Sequence, residues 1–117
     1  MKFRFTKEQR LKGYNKFHLI LTEGKKISNN FYLISVLKRN CAVSQIGISV
    51  SKKIKRSVDR NKLKRQLREI YRKNQYKFND NLNIVVIAKE KALNTDLKEM
   101  EKYFMFLCER AGIIIKE

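Results

Sequence analysis

The chain has 117 residues, and its 28 Lys and Arg against 11 Asp and Glu give a formal charge of +17 at pH 7. We expect one domain over residues 1–117, with 43% apolar residues for its core. No apolar run approaches the ~18 residues of a transmembrane helix, and charges at the N-terminus argue against a secretory signal, so we expect a cytoplasmic protein without a membrane partner. A charge this large favours a nucleic-acid partner.

The first firm helix is predicted from Gly13 to Glu23, with Gly24 as its C-cap. Four residues share its apolar stripe: Tyr14, Phe17, His18 and Leu21. An aromatic stripe at helical spacing usually packs into a core. Because the chain has one histidine, His18 is expected to be a surface or edge residue rather than a metal ligand. Phe3 and Phe5 are predicted to anchor the N-terminal segment.

Two strands are predicted next, over Phe31–Leu37 and Gln45–Ser51, and the short polar link between them favours a hairpin. The second strand alternates, with its inward face formed by Ile46, Ile48 and Val50. Its other face is small and hydroxylated, formed by Gly47, Ser49 and Ser51. Such a face is a shallow floor that a nucleic-acid backbone can approach closely.

The stretch SKKIKRSVDRNKLKRQLREIYRK, from Ser51 to Lys73, is the most basic part of the chain. Against two acids it carries eleven of the 28 Lys and Arg residues: Lys52, Lys53, Lys55, Arg56, Arg60, Lys62, Lys64, Arg65, Arg68, Arg72 and Lys73. A helix is predicted from about Ser57, because one stripe follows helical spacing through Leu63, Leu67, Ile70, Tyr71 and Asn74. An adjoining arc presents Arg60, Asn61, Lys64, Arg65, Arg68 and Arg72.

A solvated charged face is the usual meaning of such a run, but like charges four residues apart disfavour a helix by about 0.2–0.5 kcal/mol per pair. The row Arg60, Lys64, Arg68, Arg72 stacks such pairs without an interleaved Glu to relieve them. A phosphate backbone would reverse the penalty. The stretch therefore favours a polyanion-binding face.

The third strand is predicted over Leu82–Ala88, central in the sheet because Ile84–Ile87 is apolar throughout, and parallel to the second strand. A strand–helix–strand crossover of this kind is nearly always right-handed. Asn94, Thr95 or Asp96 is predicted to cap a last helix, with an apolar stripe of Leu97, Met100, Phe104, Leu107 and Ala111. This helix should end at Gly112, after which Ile113–Ile115 folds back onto apolar surface.

The sequence contains no independent active site that we can identify. One His and three scattered Asp form no paired-carboxylate or metal-ligand cluster, and no nucleotide-binding fingerprint is present. Cys41 and Cys108 are isolated, which predicts reduced structural thiols. A self-sufficient nuclease is difficult to build from these parts.

The run GISVSKKIKRSVDRNKLKRQLREIYR, Gly47 to Arg72, resembles the signature of the bacterial ribonuclease P protein family. The positions that match the family's Arg-Asn-Arg-type motif and its spaced cations are Arg60, Asn61, Lys62, Lys64, Arg65 and Arg68. The resemblance implies that these residues bind the catalytic RNA subunit. Lys62 stands where Arg is common, so the charge is kept and the bidentate fork is lost.

In the family, the helix that matches Gly13–Glu23 carries two aromatic residues, four apart, that line a cleft for the single-stranded 5′ leader of precursor tRNA. Phe17 matches the first of them, and Leu21 stands at the second. The resemblance implies leader binding by Phe17, Lys16, Leu21, Lys52 and Lys53. Helical spacing alone predicts that Phe17 packs in the core, and the resemblance implies the cleft, so both positions stay open for this residue.

The predicted fold is α+β, a two-layer α/β sandwich of three helices and one mixed four-stranded sheet, with a crossover that the resemblance implies to be left-handed. The implied function is that of a monomeric, noncatalytic subunit, 1:1 with an RNA that hydrolyses precursor tRNA at its 5′ end using Mg²⁺.

Two alternatives to this function remain. A ribosomal or general single-stranded RNA-binding module would have the same charge, whereas a DNA-binding helix-turn-helix needs a helix where SQIGISV predicts a strand.

Overall fold

The computed structural model describes residues 14–38, 44–78 and 82–115. Three helices and four strands follow in the order α1 Tyr14–Glu23, β1 Lys25–Ser28, β2 Tyr32–Lys38, β3 Gln45–Val50, α2 Ser57–Asn74, β4 Leu82–Ala88 and α3 Leu97–Arg110. Short 3-10 turns follow α2 at Gln75–Lys77 and β4 at Glu90–Asn94. The predicted anchors Phe3 and Phe5, and the thiol of Cys41, lie outside the described residues.

The four strands form one mixed sheet in the order β1-β2-β4-β3. Strand β4 pairs antiparallel with β2 and parallel with β3, so it lies between them, and the predicted hairpin of β2 with β3 is wrong. The physical reason is that β4 is apolar on both faces and gains two hydrogen-bonded neighbours by taking the central position. The predicted parallel unit β3–α2–β4 is confirmed. The fourth strand of the sheet, which was predicted without a position in the chain, is β1, a short edge with two exposed lysines, Lys25 and Lys26.

Helices α2 and α3 pack on one face of the sheet and enclose the main core. The buried side of α2 consists of Leu63, Leu67, Ile70, Tyr71 and Asn74, as the periodicity predicts. The polar member of this stripe is satisfied, because the Asn74 amide donates to the Ile70 carbonyl and to Glu101 of α3, both at 2.8 Å. Glu101 also lies 3.7 Å from the Lys73 ammonium. The acids of α3 thus meet the C-terminal end of α2.

Helix α3 has well-defined ends. Of the three predicted caps, Asp96 is the one used: its carboxylate accepts from the Glu99 backbone N–H at 2.8 Å, and Glu99 reciprocates in a capping box. The helix stops before Gly112, whose φ of +75° is the left-handed conformation that glycine favours. Its Cys108 thiol is free and buried, and burial raises its pKa, which agrees with an unreactive structural role.

The chain after α3 returns to the body. Ile113 is buried, Ile114 forms a bridge with Phe78, and the Ile115 N–H donates to the Lys77 carbonyl at 2.7 Å. The predicted fold-back is therefore confirmed for Ile113, while the Ile115 side chain stays half exposed. The predicted stripe of α3 is confirmed at its centre, but Leu97 at its start is exposed.

Helix α1 packs on the opposite face, where Ile20 lies against Val85 of β4. The Ser35 hydroxyl of β2 donates to the Ile20 carbonyl at 2.6 Å, and the Gly24 N–H donates to the same oxygen at 2.9 Å. Gly24 ends the helix as predicted, although not through a left-handed conformation. A Cβ at this position would lie 2.5 Å from the Ile20 oxygen and closer still to the Ser35 hydroxyl, so only glycine fits without displacement.

Candidate nucleic-acid interface

A tight turn over residues 51–54, here called the lysine turn, connects β3 to α2. The Ile54 N–H donates to the Ser51 carbonyl at 3.0 Å, which closes the turn, and the Ser51 N–H donates to Ala88 of β4 at 2.8 Å. Ile54 is buried and anchors the far side. Lys52 and Lys53 occupy the two central positions and are exposed. The sheet therefore presents two cations at the carboxyl end of β3.

A groove of about 470 Å³ lies between α1 and the sheet beside the lysine turn. This α1 groove is lined by Phe17, His18, Leu21, Ile48, Ser49, Lys52 and Ile87. Its lining combines aliphatic and aromatic surface with a hydroxyl and the Lys52 side chain. An unpaired base can stack on the aromatic and aliphatic part of such a surface, and the lysine can neutralise the neighbouring phosphate.

The predicted leader residues divide into two sets. Phe17, Leu21 and Lys52 line the α1 groove. Lys16 is exposed on α1 and Lys53 is exposed on the lysine turn, and neither lines the groove. Phe17 was left open between the core and the cleft, and its ring takes part in both. The ring is half-buried, packs against the Ile20–Val85 pair and also lines the groove.

Two further lining residues, Ile48 and Ile87, were not predicted for the groove. Ile48 was expected to face inward only, and it does contact the main core while one side of it reaches the groove. Ile87 could have been found from the sheet register. It pairs with Ser49 of the neighbouring parallel strand, which belongs to the predicted floor.

A row of cations on the outer side of α2 forms the second surface. We call it the cationic face and define it by Asn61, Lys62, Lys64, Arg65 and Arg68. Lys64 is half-buried and the other four are exposed. Within residues 14–38, 44–78 and 82–115, none of its four cations has an ion-pair partner. These charges are therefore available to an anionic ligand.

The row of four like charges is relieved at its last member. The Arg72 guanidinium donates to the Glu69 carboxylate at 3.0 Å, and this hydrogen bond lowers the pKa of Glu69 and raises that of Arg72. The expectation that no Glu relieves the row is thus wrong at Arg72, because the pair forms at a spacing of three rather than four. The cationic face ends at Arg68.

The first arginine of the motif is turned toward the protein. One terminal nitrogen of Arg60 donates to the carbonyls of Ser51 and Ile54, each at 2.9 Å, and the other to the Val50 carbonyl at 3.4 Å. The remaining motif residues, Asn61 and Lys62, point outward and are exposed. Periodicity places Arg60 on the same arc as Lys64, and it does not reveal that the side chain folds back onto the lysine turn.

These features are typical of α+β proteins that bind nucleic acid: a helix without a side-chain N-cap, four cations without ion-pair partners among the described residues, and an adjoining apolar groove. The N-cap position, Arg56, makes no side-chain capping hydrogen bond. The first-turn N–H groups therefore add to the positive potential of this end. In the ranges that the structure describes, no helix is long and apolar enough to cross a membrane.

Comparison with known proteins identifies the family. The family model described as Ribonuclease P matches residues 5–112. A ribonuclease P protein component from Dictyoglomus turgidum is 36% identical over 114 residues, which cover 96% of each chain. The solved RNase P protein of Staphylococcus aureus aligns with a TM-score of 0.84 and 25% identity over 92% of this chain and 98% of its own. For that of Thermotoga maritima the TM-score is 0.79 and the identity 31%, with the same coverage.

The chain therefore belongs to the ribonuclease P protein family. This assignment confirms the resemblance carried by Gly47 to Arg72 and the predicted class, α+β with three helices and one mixed four-stranded sheet. It also confirms the predicted role as the protein component of an endoribonuclease that processes tRNA. The hand of the crossover stays a prediction of the resemblance.

Proposed function

We propose that the cationic face of α2 binds the catalytic RNA subunit of ribonuclease P, and that the α1 groove binds the 5′ leader of precursor tRNA. The observation that carries this proposal is the position of the lysine turn. It contributes Lys52 to the groove and leads directly into the N-terminus of α2. A folded RNA and a single strand leaving it can therefore occupy adjoining surfaces.

The contribution of the cationic face is electrostatic. If Lys62, Lys64, Arg65 and Arg68 each neutralise one phosphate, log K should fall with log salt concentration at a slope of about −3 to −4. Phosphates would also remove the repulsion among these side chains in the free helix. Arg65 and Arg68 offer bidentate forks, while Lys62 acts as a point charge. Asn61 adds a neutral donor and acceptor beside them.

The α1 groove would bind the leader mainly through one ring. Stacking a base on Phe17 contributes about 1–3 kcal/mol, whereas Leu21 offers van der Waals contact alone. Lys52 would neutralise a leader phosphate at the groove, with Lys16 and Lys53 placed to meet the strand where it enters or leaves. One stacked base rather than two is the expectation for this chain.

The chemistry would belong to the RNA subunit. Among the residues that the structure describes, no three His, Cys, Asp or Glu side chains are grouped so as to hold a metal ion. Because the chain belongs to a family of protein components whose enzyme has its catalysis in the RNA, we assign the catalytic Mg²⁺ to the RNA, where it would activate the attacking water. The protein's cations would lower the Mg²⁺ concentration at which RNA and substrate assemble. We expect one protein per RNA, acting in the cytoplasm.

The test is reconstitution. The chain is mixed with catalytic ribonuclease P RNA and precursor tRNA at a Mg²⁺ concentration too low for the RNA alone, and cleavage at the mature 5′ end is measured. We expect the chain to restore cleavage. A variant with Lys62, Lys64, Arg65 and Arg68 replaced by Gln should fold and fail to do so. Binding of leader RNA without restored cleavage would instead support a general single-stranded RNA-binding protein.

The groove is tested separately by comparing precursor tRNA that carries a leader with tRNA that lacks one. In the reconstituted complex, Phe17→Leu should weaken the leader-dependent part of substrate affinity, and Leu21→Phe should strengthen it by adding a second stacking surface. Both variants should leave binding of the RNA subunit unchanged. Equal affinity of the two variants for the leader substrate would remove the leader from the α1 groove.

A further inference from the structure

The side chain of Arg60 makes three hydrogen bonds at the junction between the lysine turn and α2. Three carbonyls converge on its guanidinium: Val50 at the end of β3, and Ser51 and Ile54 at the two ends of the turn. The nitrogen that serves Ser51 and Ile54 uses both of its hydrogens on them, each at 2.9 Å. The group is half-buried rather than directed at solvent.

These hydrogen bonds join parts of the chain that are nine, six and ten residues from Arg60. Charge-assisted bonds from a guanidinium are stronger than neutral ones, and its planar fork can serve several carbonyls with one rigid group. A lysine ammonium on a flexible stem cannot reproduce this planar arrangement. Arg60 therefore fixes the lysine turn relative to the first turns of α2.

We propose that Arg60 is a positioning residue, which sets Lys52 at the α1 groove in register with the cationic face of α2, and that it does not itself neutralise a phosphate of the RNA subunit. This inference rests on the proposed function for its consequence in binding. It assigns Arg60 a role different from that of Arg65, which lies five residues further along α2 and is exposed. The Arg60 guanidinium is held toward the carbonyls of the lysine turn by three hydrogen bonds, whereas the Arg65 side chain faces solvent.

The charge-conserving substitution separates the two roles. If Arg60 positions the turn, Arg60→Lys should lose at least threefold of the leader-dependent substrate affinity while leaving the affinity for the RNA subunit, and its salt slope, unchanged. Arg56→Lys is the matched control, because Arg56 is exposed and lies outside both the cationic face and the lining of the α1 groove, and it should retain the leader-dependent affinity. Arg65→Ala should instead reduce the salt slope of RNA-subunit binding by about 0.7–0.9. A slope reduced to the same extent by Arg60→Ala would overturn the proposal.

Two further measurements make the test complete. In combination with Lys52→Ala, Arg60→Lys should cause no additional loss of leader affinity, because the positioned side chain is already absent. Additive losses would contradict a positioning role for Arg60.

In the free protein, Arg60→Lys should speed hydrogen exchange of the Ile54 amide, whose bond to Ser51 closes the turn, while amides of α3 stay protected. This exchange readout needs no RNA, so it distinguishes failure of the inference from failure of the proposed function. If Arg60→Lys unfolds the whole domain, the residue is a general fold determinant and the inference fails.

Discussion

Helices α2 and α3 are both amphipathic and pack on the same face of the sheet, but they are stabilised by different means. Helix α3 has a capping box at Asp96, a glycine terminator and a buried stripe that includes Phe104. Helix α2 has a buried stripe of similar quality, no side-chain N-cap, and the cationic face, whose four cations have no ion-pair partner among the described residues. Local interactions thus support α3 throughout, whereas α2 depends on packing to hold a surface that repels itself. A helix of this second kind is expected where a ligand supplies the missing countercharge.

The largest expected effect tests whether α3 serves the fold alone. Phe104→Ala removes a fully buried ring that packs edge-on against Tyr32, and it should lower the free energy of unfolding by about 3–5 kcal/mol. Urea denaturation measures this loss. Where the variant remains folded, its affinity for the RNA subunit should match that of the unmodified chain. A specific loss of RNA affinity in folded Phe104→Ala protein would place α3 in the interface.

The second comparison concerns the two helix starts. Asp96→Ala removes the capping carboxylate of α3 and should cost about 1 kcal/mol of unfolding free energy. Arg56→Ala, at the equivalent position of α2, should change stability by less than about 0.5 kcal/mol, because its side chain caps nothing. Thermal or urea unfolding of the pair checks both values. Equal destabilisation by the two substitutions would mean that α2 is capped after all.

A third change should move stability and binding in opposite directions. Lys64→Glu turns the like-charge pair with Arg68 into an opposite-charge pair, which should stabilise the free protein by about 0.4–1 kcal/mol. Arg60 contributes little to this change because its side chain is turned toward the lysine turn. The same substitution should weaken binding to the RNA subunit, and Lys64→Gln should lie between the two in both measurements. If Lys64→Glu lowers the stability of the free protein, repulsion along α2 is not the cost that we assign to it.

The smallest expected effect depends on pH. Because the hydrogen bond from Arg72 lowers the pKa of Glu69 below its ordinary value of 4.5, the pair adds stability above pH 4.5, and this is lost as the pH falls through the folded-state pKa. Both side chains are well exposed, so the contribution is small. Glu69→Gln should flatten the dependence of unfolding free energy on pH in this acidic range. An unchanged profile would show that the pair forms only fleetingly in solution.

The local parts of the fold were predictable from the sequence. The buried stripe of α2 followed from 3.6-residue periodicity at every position, because the core lies on one side of a long helix. The order of the strands was not predictable in the same way. A short link between β2 and β3 favours a hairpin, but the pairing is decided by β4, which lies more than thirty residues later and needs a neighbour on each edge.

The candidate site shows the same division. Lys62 came from the family resemblance, whereas Asn61, Arg65 and Arg68 were found because helical spacing fixes the direction of each Cβ. The inward turn of Arg60 was not, since the reach of a long side chain depends on where the tertiary fold places the carbonyls of Ser51 and Ile54. The Glu69–Arg72 pair could have been read from its spacing of three residues.

The close packing of α1 on the sheet has a consequence for natural sequence variation and for protein design. The helix approaches β2 so closely that position 24 admits no side chain, so Gly24 and Ser35 help to set the distance between α1 and the sheet, and with it the width of the α1 groove. Bulkier residues at positions 24 and 35 would push α1 away from the sheet and widen the α1 groove. The set of ligands that fit the α1 groove would then change, although every side chain that lines the groove stayed the same.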